Sequence, residues 1–200
     1  MSPVKRQPLL FFWPRFGSFL RMQHSSVTVG PCDGHRGCVA DIAMLAKDIP
    51  LFPVARSCYL TDLAEARLAS PHRIGWAAIF LKAYGKIVQE NPALRSWFLP
   101  GLWPRIATTK HNVATLAVNR TDNDHEQLYW ARLHQPETKS LVEIQRFIDN
   151  CRTGPIEELF KRQRELELLP GFLRKAVLRW NHRSGSHKRC SRIGTFSLST

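Results

Sequence analysis

Acidic side chains are missing from both ends of this 200-residue chain. Residues 1–32 hold Lys5, Arg6, Arg15 and Arg21 but no Asp or Glu, and residues 168–200 hold Arg174, Lys175, Arg179, Arg183, Lys188, Arg189 and Arg192, again without an acid. The middle therefore carries 18 of the 29 basic residues against all 16 acidic ones, a nearly neutral body between two cationic ends. Such ends meet nucleic acid, anionic lipid or a phosphorylated cofactor, or serve as solvated tails. Also missing is any run near the roughly 20 apolar residues of a membrane-spanning helix. Leu9–Trp13 is cut off by Pro14 and Arg15 before it reaches the roughly 7–15 residues of a signal-peptide core. Pro8 and Pro14 also spoil the amphipathic helix of an organellar transit peptide. Internal repeats and low-complexity tracts are absent as well.

What is present fits one globular domain: 44% hydrophobic and 22% charged residues, in a chain long enough to bury a core. The five cysteines are an odd number at no disulfide-framework spacing, which points to reduced thiols and a cytoplasmic protein. Cys32, His35 and Cys38 form one cluster, and His182, His187 and Cys190 another. Neither supplies the four ligands of a closed zinc site, so no metal is expected.

Residues 1–35, punctuated by Pro, Gly and Ser, read as a poorly ordered leader. A short helix over Val39–Lys47 is closed by Ile49-Pro50. An extended piece follows over Val54–Leu60, and a helix opens at Thr61. The strongest helical pattern spans Ile74–Asn91, with Ala77, Phe80, Leu81, Tyr84, Ile87 and Val88 as its apolar stripe; Trp76, Phe80 and Tyr84 are assigned to the core. Val113–Asn119 and Gln127–Leu133 read as strands joined in a hairpin by Thr121-Asp122-Asn123-Asp124. His111, His125 and His134 flank it as surface residues. Ser140 and Glu143 form a capping box for a helix whose stripe is Leu141, Ile144 and Ile148. Gly154-Pro155 starts another helix, with Glu157 and Glu158 in its first turn, and Pro170-Gly171 ends it. A basic amphipathic helix over Phe172–Trp180, a Ser184-Gly185-Ser186 linker and a strand over Gly194–Thr200 complete the chain. Helices and strands in this order predict α/β layers on a mixed sheet.

Three of these segments resemble, in order, the catalytic domain of the 2-oxoacid dehydrogenase acyltransferases, the dihydrolipoamide acyltransferase family, whose fold is that of chloramphenicol acetyltransferase. Leu81-Lys82-Ala83-Tyr84 through Glu90-Asn91-Pro92-Ala93-Leu94 is similar to the family's first long helix and its Pro-x-Leu ending. Lys139-Ser140-Leu141-Val142-Glu143-Ile144 is similar to its K-S-L-x-E-I, and Gly194-Thr195-Phe196-Ser197-Leu198-Ser199 to its G-T-F-x-[IL]-S. The resemblance runs from about residue 36 to the end, and it includes no lipoyl or subunit-binding domain. It implies a two-layer chloramphenicol acetyltransferase-like α/β fold with a mixed sheet over residues 36–200.

The same resemblance implies acyl transfer between coenzyme A and a thiol or alcohol, in homotrimers whose sites lie between subunits. Ser199 matches the serine that donates a hydrogen bond to the tetrahedral oxyanion. The family's histidine motif, D-H-R-x-x-D-G, follows G-T-F-x-[IL]-S by some tens of residues, and no such run stands in these 200 residues. Asn181-His182-Arg183-Ser184-Gly185 lies before the Gly-Thr-Phe segment and lacks the flanking aspartates, so His182 is not assigned as the base. The expectation is a domain incomplete at its C-terminus, lacking the last strands and inactive alone. The alternative is a non-catalytic assembly protein, or a basic nucleic-acid binder, on the same fold.

Overall fold

The computed structural model describes residues 34–200 apart from 48, 50, 51, 101, 123, 187 and 200. The leader assigned to residues 1–35 falls outside the described residues, save Gly34 and His35, which open the first helix. In chain order the elements are α1 (Gly34–Ala46), α2 (Thr61–Ala69), α3 (Trp76–Glu90), a 3-10 turn at Pro92–Arg95, β1 (Ser96–Leu99) and β2 (Arg105–Thr108). There follow β3 (Val113–Asp122), β4 (His125–His134), α4 (Leu141–Thr153), α5 (Ile156–Leu159), α6 (Lys161–Glu167), α7 (Gly171–Arg183), α8 (Lys188–Ile193) and β5 (Phe196–Ser199). No helix among the described residues is long and apolar enough to cross a membrane.

The expected hairpin is there: β3 and β4 pair antiparallel from Val113↔His134 to Asp122↔His125. Asp124 takes the positive φ of 64° that the tight turn needs and that a short polar side chain tolerates. β5 returns parallel to β3, with Ala114↔Phe196 and Leu116↔Leu198, so the sheet is mixed in the order β4-β3-β5. Because side chains alternate across a strand, Ala114, Leu116, Val118, Tyr129, Ala131 and Leu133 share one face. There they pack with Ala78 and Leu81 of α3 and Ile144, Ile148 and Cys151 of α4. The result is a helical layer on a mixed sheet, the predicted α/β class. β1 and β2 form a separate two-stranded sheet that the sequence pattern did not disclose.

The apolar stripe of α3 is rotated from its predicted position. Its buried residues are Ala78, Leu81, Gly85 and Val88, whereas Phe80, Tyr84 and Ile87 are 43–47% exposed. The cause is close approach: a Cβ on Gly85 would sit 2.8 Å from Pro136 Cγ, so only glycine lets the 135–139 loop against this helix. Lys82 fixes the same joint by donating to the Glu137 carbonyl at 2.7 Å and to the Lys139 carbonyl. The Lys-Ala pair and the K-S-L-x-E-I segment are thus stitched together, in a structural role. At the start of α4 the predicted capping box forms, Glu143 N donating to Ser140 Oγ and Ser140 N to Glu143 Oε2. These bonds, the backbone one foremost, hold the Glu143 carboxyl below its ordinary range.

The outer edge of β4 is closed by a side chain. Gln163, buried on α6, accepts from Trp130 N at 3.2 Å and donates to Leu128 O at 2.9 Å, standing where a neighbouring strand's peptide group would stand. The helix predicted from Gly154-Pro155 to Pro170 is broken at Phe160 into α5 and α6. The Phe160 ring packs 4.6 Å from Tyr129.

Cys38, Cys151 and Cys190 are buried and Cys58 is exposed, all as free thiols. Burial above all pushes the Cys38 and Cys151 thiols up to about 11, which keeps them protonated at neutral pH. Iodoacetamide at pH 8 is therefore expected to modify Cys58 about 10²-fold faster than Cys38 or Cys151 in the folded protein. Peptide mapping after timed quenching checks this, and comparable labelling of all three would refute it. An unfolded chain loses these protons nearer 9. The two thiols therefore add stability below that pH, and it declines as pH rises toward about 11.

Candidate functional site

The Gly194–Ser199 segment uses almost every side chain to hold itself against β3. Gly194 has φ +90°, and a Cβ there would collide with Thr115 Oγ1. Thr195 takes both backbone groups of Val113: its Oγ1 accepts from Val113 N at 3.1 Å, and its own N–H donates to Val113 O at 2.7 Å. Thr115 Oγ1 in turn donates to Ile193 O at 2.8 Å. Phe196 packs against Tyr84 with ring centroids 4.8 Å apart and ring planes tilted by 60°, and Leu198 packs against the core. Ser197 and Ser199 remain, exposed on the opposite face of the sheet. Among the described residues the Ser199 hydroxyl has no hydrogen-bond partner.

That opposite face forms one wall of a groove of about 800 Å³. Thr115, Trp130, Arg132 and Ser197 line it from the sheet, since Thr115↔Arg132 and Thr115↔Ser197 are register partners. Ser199 lies on the same face, one alternation further along β5, opposite Ala117 and beyond the groove lining. Apolar residues of α1 and α7, among them Ile42, Leu45 and Leu178, form another wall.

The groove is cationic. Arg95, Arg132, Arg162, Arg189 and Arg192 line it against Glu165 as the acid. Arg132 Nε donates to Arg192 O at 2.6 Å, Arg189 Nε donates to His182 O at 3.1 Å, and the Arg189 guanidinium stacks 4.6 Å over Trp97. None of these five pairs with a carboxylate among the described residues; the ion pairs run from Arg164 to Asp122 and Glu157, and from Arg174 and Lys175 to Asp41. Burial, with Arg162 nearby, lowers the affinity of Arg132 for its proton, and burial does the same at Arg189. Guanidiniums held in this way suit phosphate or carboxylate oxygens.

His182 also lines the groove, from the last turn of α7. Burial, then Arg189 and Arg183, hold its pKa below the usual imidazole range, so it is neutral at physiological pH. No His, Cys, Asp or Glu cluster able to hold a metal is found among the described residues. The Cys32–His35–Cys38 and His182–His187–Cys190 groupings involve side chains outside the described set.

The groove arginines went unassigned in the sequence, although one signal for them exists. Alternation along β4 sets Trp130 and Arg132 opposite Tyr129, Ala131 and Leu133, which marks a polar second face. The other cations come from the 3-10 turn before β1, from α6 and from α8, and meet it only through tertiary packing.

No protein-family model and no curated protein matches the chain. Solved structures do. The truncated catalytic core of the 2-oxoacid dehydrogenase multienzyme complex from Thermoplasma acidophilum aligns at 20% identity and TM-score 0.53, covering 62% of this chain and 57% of that one. The cubic core of the pyruvate dehydrogenase multienzyme complex aligns at 15% identity and TM-score 0.54, covering 80% of this chain and 64% of that one. This chain thus spans about three fifths of the length of the structures it matches. In its fold, the chain is similar to the cores of 2-oxoacid dehydrogenase multienzyme complexes.

Proposed function

We propose that this chain carries the serine half of a coenzyme A-dependent acyl-transfer site. The observation that carries the reading is the position of Ser199. It ends a segment in which glycine, threonine, phenylalanine and leucine are all used by the fold, and its hydroxyl is left for something else. In an acyl transfer, a thiol attacks the thioester carbonyl and the oxygen becomes an anion. A hydroxyl donor at that oxygen contributes about 3–4 kcal/mol. The groove arginines, gathered over the same sheet face, supply positive charge for the phosphates of coenzyme A. The family resemblance adds a homotrimer, with a histidine reaching the site from the partner subunit.

Proton removal from a thiol of pKa about 8.5 needs a base near neutrality. These 200 residues hold no D-H-R-x-x-D-G run, and His182 hangs from α7 with the wrong flanking residues. Acetyl transfer from acetyl-coenzyme A to a dithiol is therefore expected to be negligible with this chain alone. Fusion to a segment carrying that motif should restore turnover, and Ser199→Ala should then lower kcat by about 10²–10³-fold. Restored turnover that ignores Ser199→Ala would dispose of the proposal. So would strong activity of the 200 residues alone that is abolished by His182→Ala.

A non-catalytic assembly role is the second reading. It is favoured by apolar side chains on and between β1 and β2: Phe98, Leu102, Trp103 and Ile106 are 61–97% exposed.

A further inference from the structure

The outward face of α7 is apolar and aromatic, with cations along one side. At 100° per residue, Phe172, Leu173, Ala176 and Trp180 fall within a sector of about 100°. Phe172 is 73% exposed and Trp180 77%, and Leu168 in the preceding turn is 85% exposed. Lys175 and Arg179 border one side of this sector, and Arg183 falls within it near the Phe172 edge. The helix cannot roll to hide it, because Arg174 and Asn181 are buried on the other side and Arg174 is ion-paired to Asp41 at 2.5 Å. Lys175 reaches the same carboxylate at 3.7 Å yet stays about half exposed, while Arg179 and Arg183 make no ion pair among the described residues.

We propose that this face of α7, with Leu168, docks onto an anionic lipid bilayer. A helix lying in the interface needs aromatic and aliphatic side chains to enter the acyl boundary and Lys or Arg to meet the headgroups. Both sets occupy one face here, and the absence of acid from residues 168–200 removes repulsion from a negative surface. A second copy seated on the same face would set cations against cations. A nucleic acid would use the cations and aromatic rings but not Leu168 and Leu173. The inference stands apart from the acyl-transfer reading, since it uses neither Ser199 nor the sheet face of the groove.

Co-flotation of the 200-residue chain with phosphatidylcholine vesicles, with and without phosphatidylglycerol, tests it. Flotation is expected with the anionic vesicles, and at least about tenfold weaker with the neutral ones. Phe172→Ser with Trp180→Ser should lower it about tenfold or more, by removing the inserted groups. Arg179→Glu with Arg183→Glu should do the same, at about fivefold or more per site. All four positions are exposed, so the circular dichroism of each variant should match the parent. The proposal falls if the parent does not float with anionic vesicles, or if neither variant changes flotation. It also falls if the face mediates self-association without lipid that Phe172→Ser with Trp180→Ser disperses. Arginine variants that lose RNA binding while floating normally would equally overturn it.

Discussion

Asp41→Ala should cost about 3–5 kcal/mol of stability in urea denaturation. Asp41 and Arg174 tie α1 to α7 through a 2.5 Å contact, with side chains only 7% and 10% exposed. Removing the carboxylate leaves a guanidinium in a place water does not reach, and that uncompensated charge dominates the loss. Gly37 makes the arrangement possible, because a Cβ there would lie 2.6 Å from Arg174 Nη2. Replacing both partners, Asp41→Leu with Arg174→Met, should recover most of the loss, since an apolar pair of similar volume leaves no buried charge behind. A single variant within about 1 kcal/mol of the parent, the range of an exposed pair, would show that the pair is solvated.

Gly194→Ala is expected to destabilise the protein by about 2–4 kcal/mol, from the left-handed backbone and a steric clash acting together. The two causes separate experimentally. Thr115→Ala removes the Oγ1 that the new methyl strikes, so the double variant should be less unstable than the two losses added. Thr115→Ala alone should cost about 1 kcal/mol for the hydrogen bond to Ile193 O. Simple additivity would mean that β5 shifts bodily away from β3. In that case circular dichroism would report lost strand content in Gly194→Ala itself.

Local signals in the sequence disclosed the elements whose determinants are local. The β3–β4 hairpin followed from alternation around a polar turn, α4 from Ser140 and Glu143, and β5 from its apolar/hydroxyl repeat. What escaped depends on distant partners. The face that α3 buries is set by Pro136, fifty residues later, which demands Gly85 rather than a large side chain. The break at Phe160 follows from its ring seeking Tyr129. α8 is only six residues long, and its helical pattern hides within a polar stretch. The place of Ser199 at the end of a strand was legible because a local motif carries it. The groove was not, because its arginines come from separate elements that only packing gathers.

The side-chain plug on β4 gives the sheet a direction of growth. With Gln163 occupying the outward N–H of Trp130 and C=O of Leu128, one edge is closed at its middle. Any further strand, from this chain or another, must be laid down beside β5. That is the strand carrying Ser199, so whatever extends the sheet also builds the next wall around its hydroxyl. Completing the architecture and enclosing the Ser199 hydroxyl would then be a single structural event.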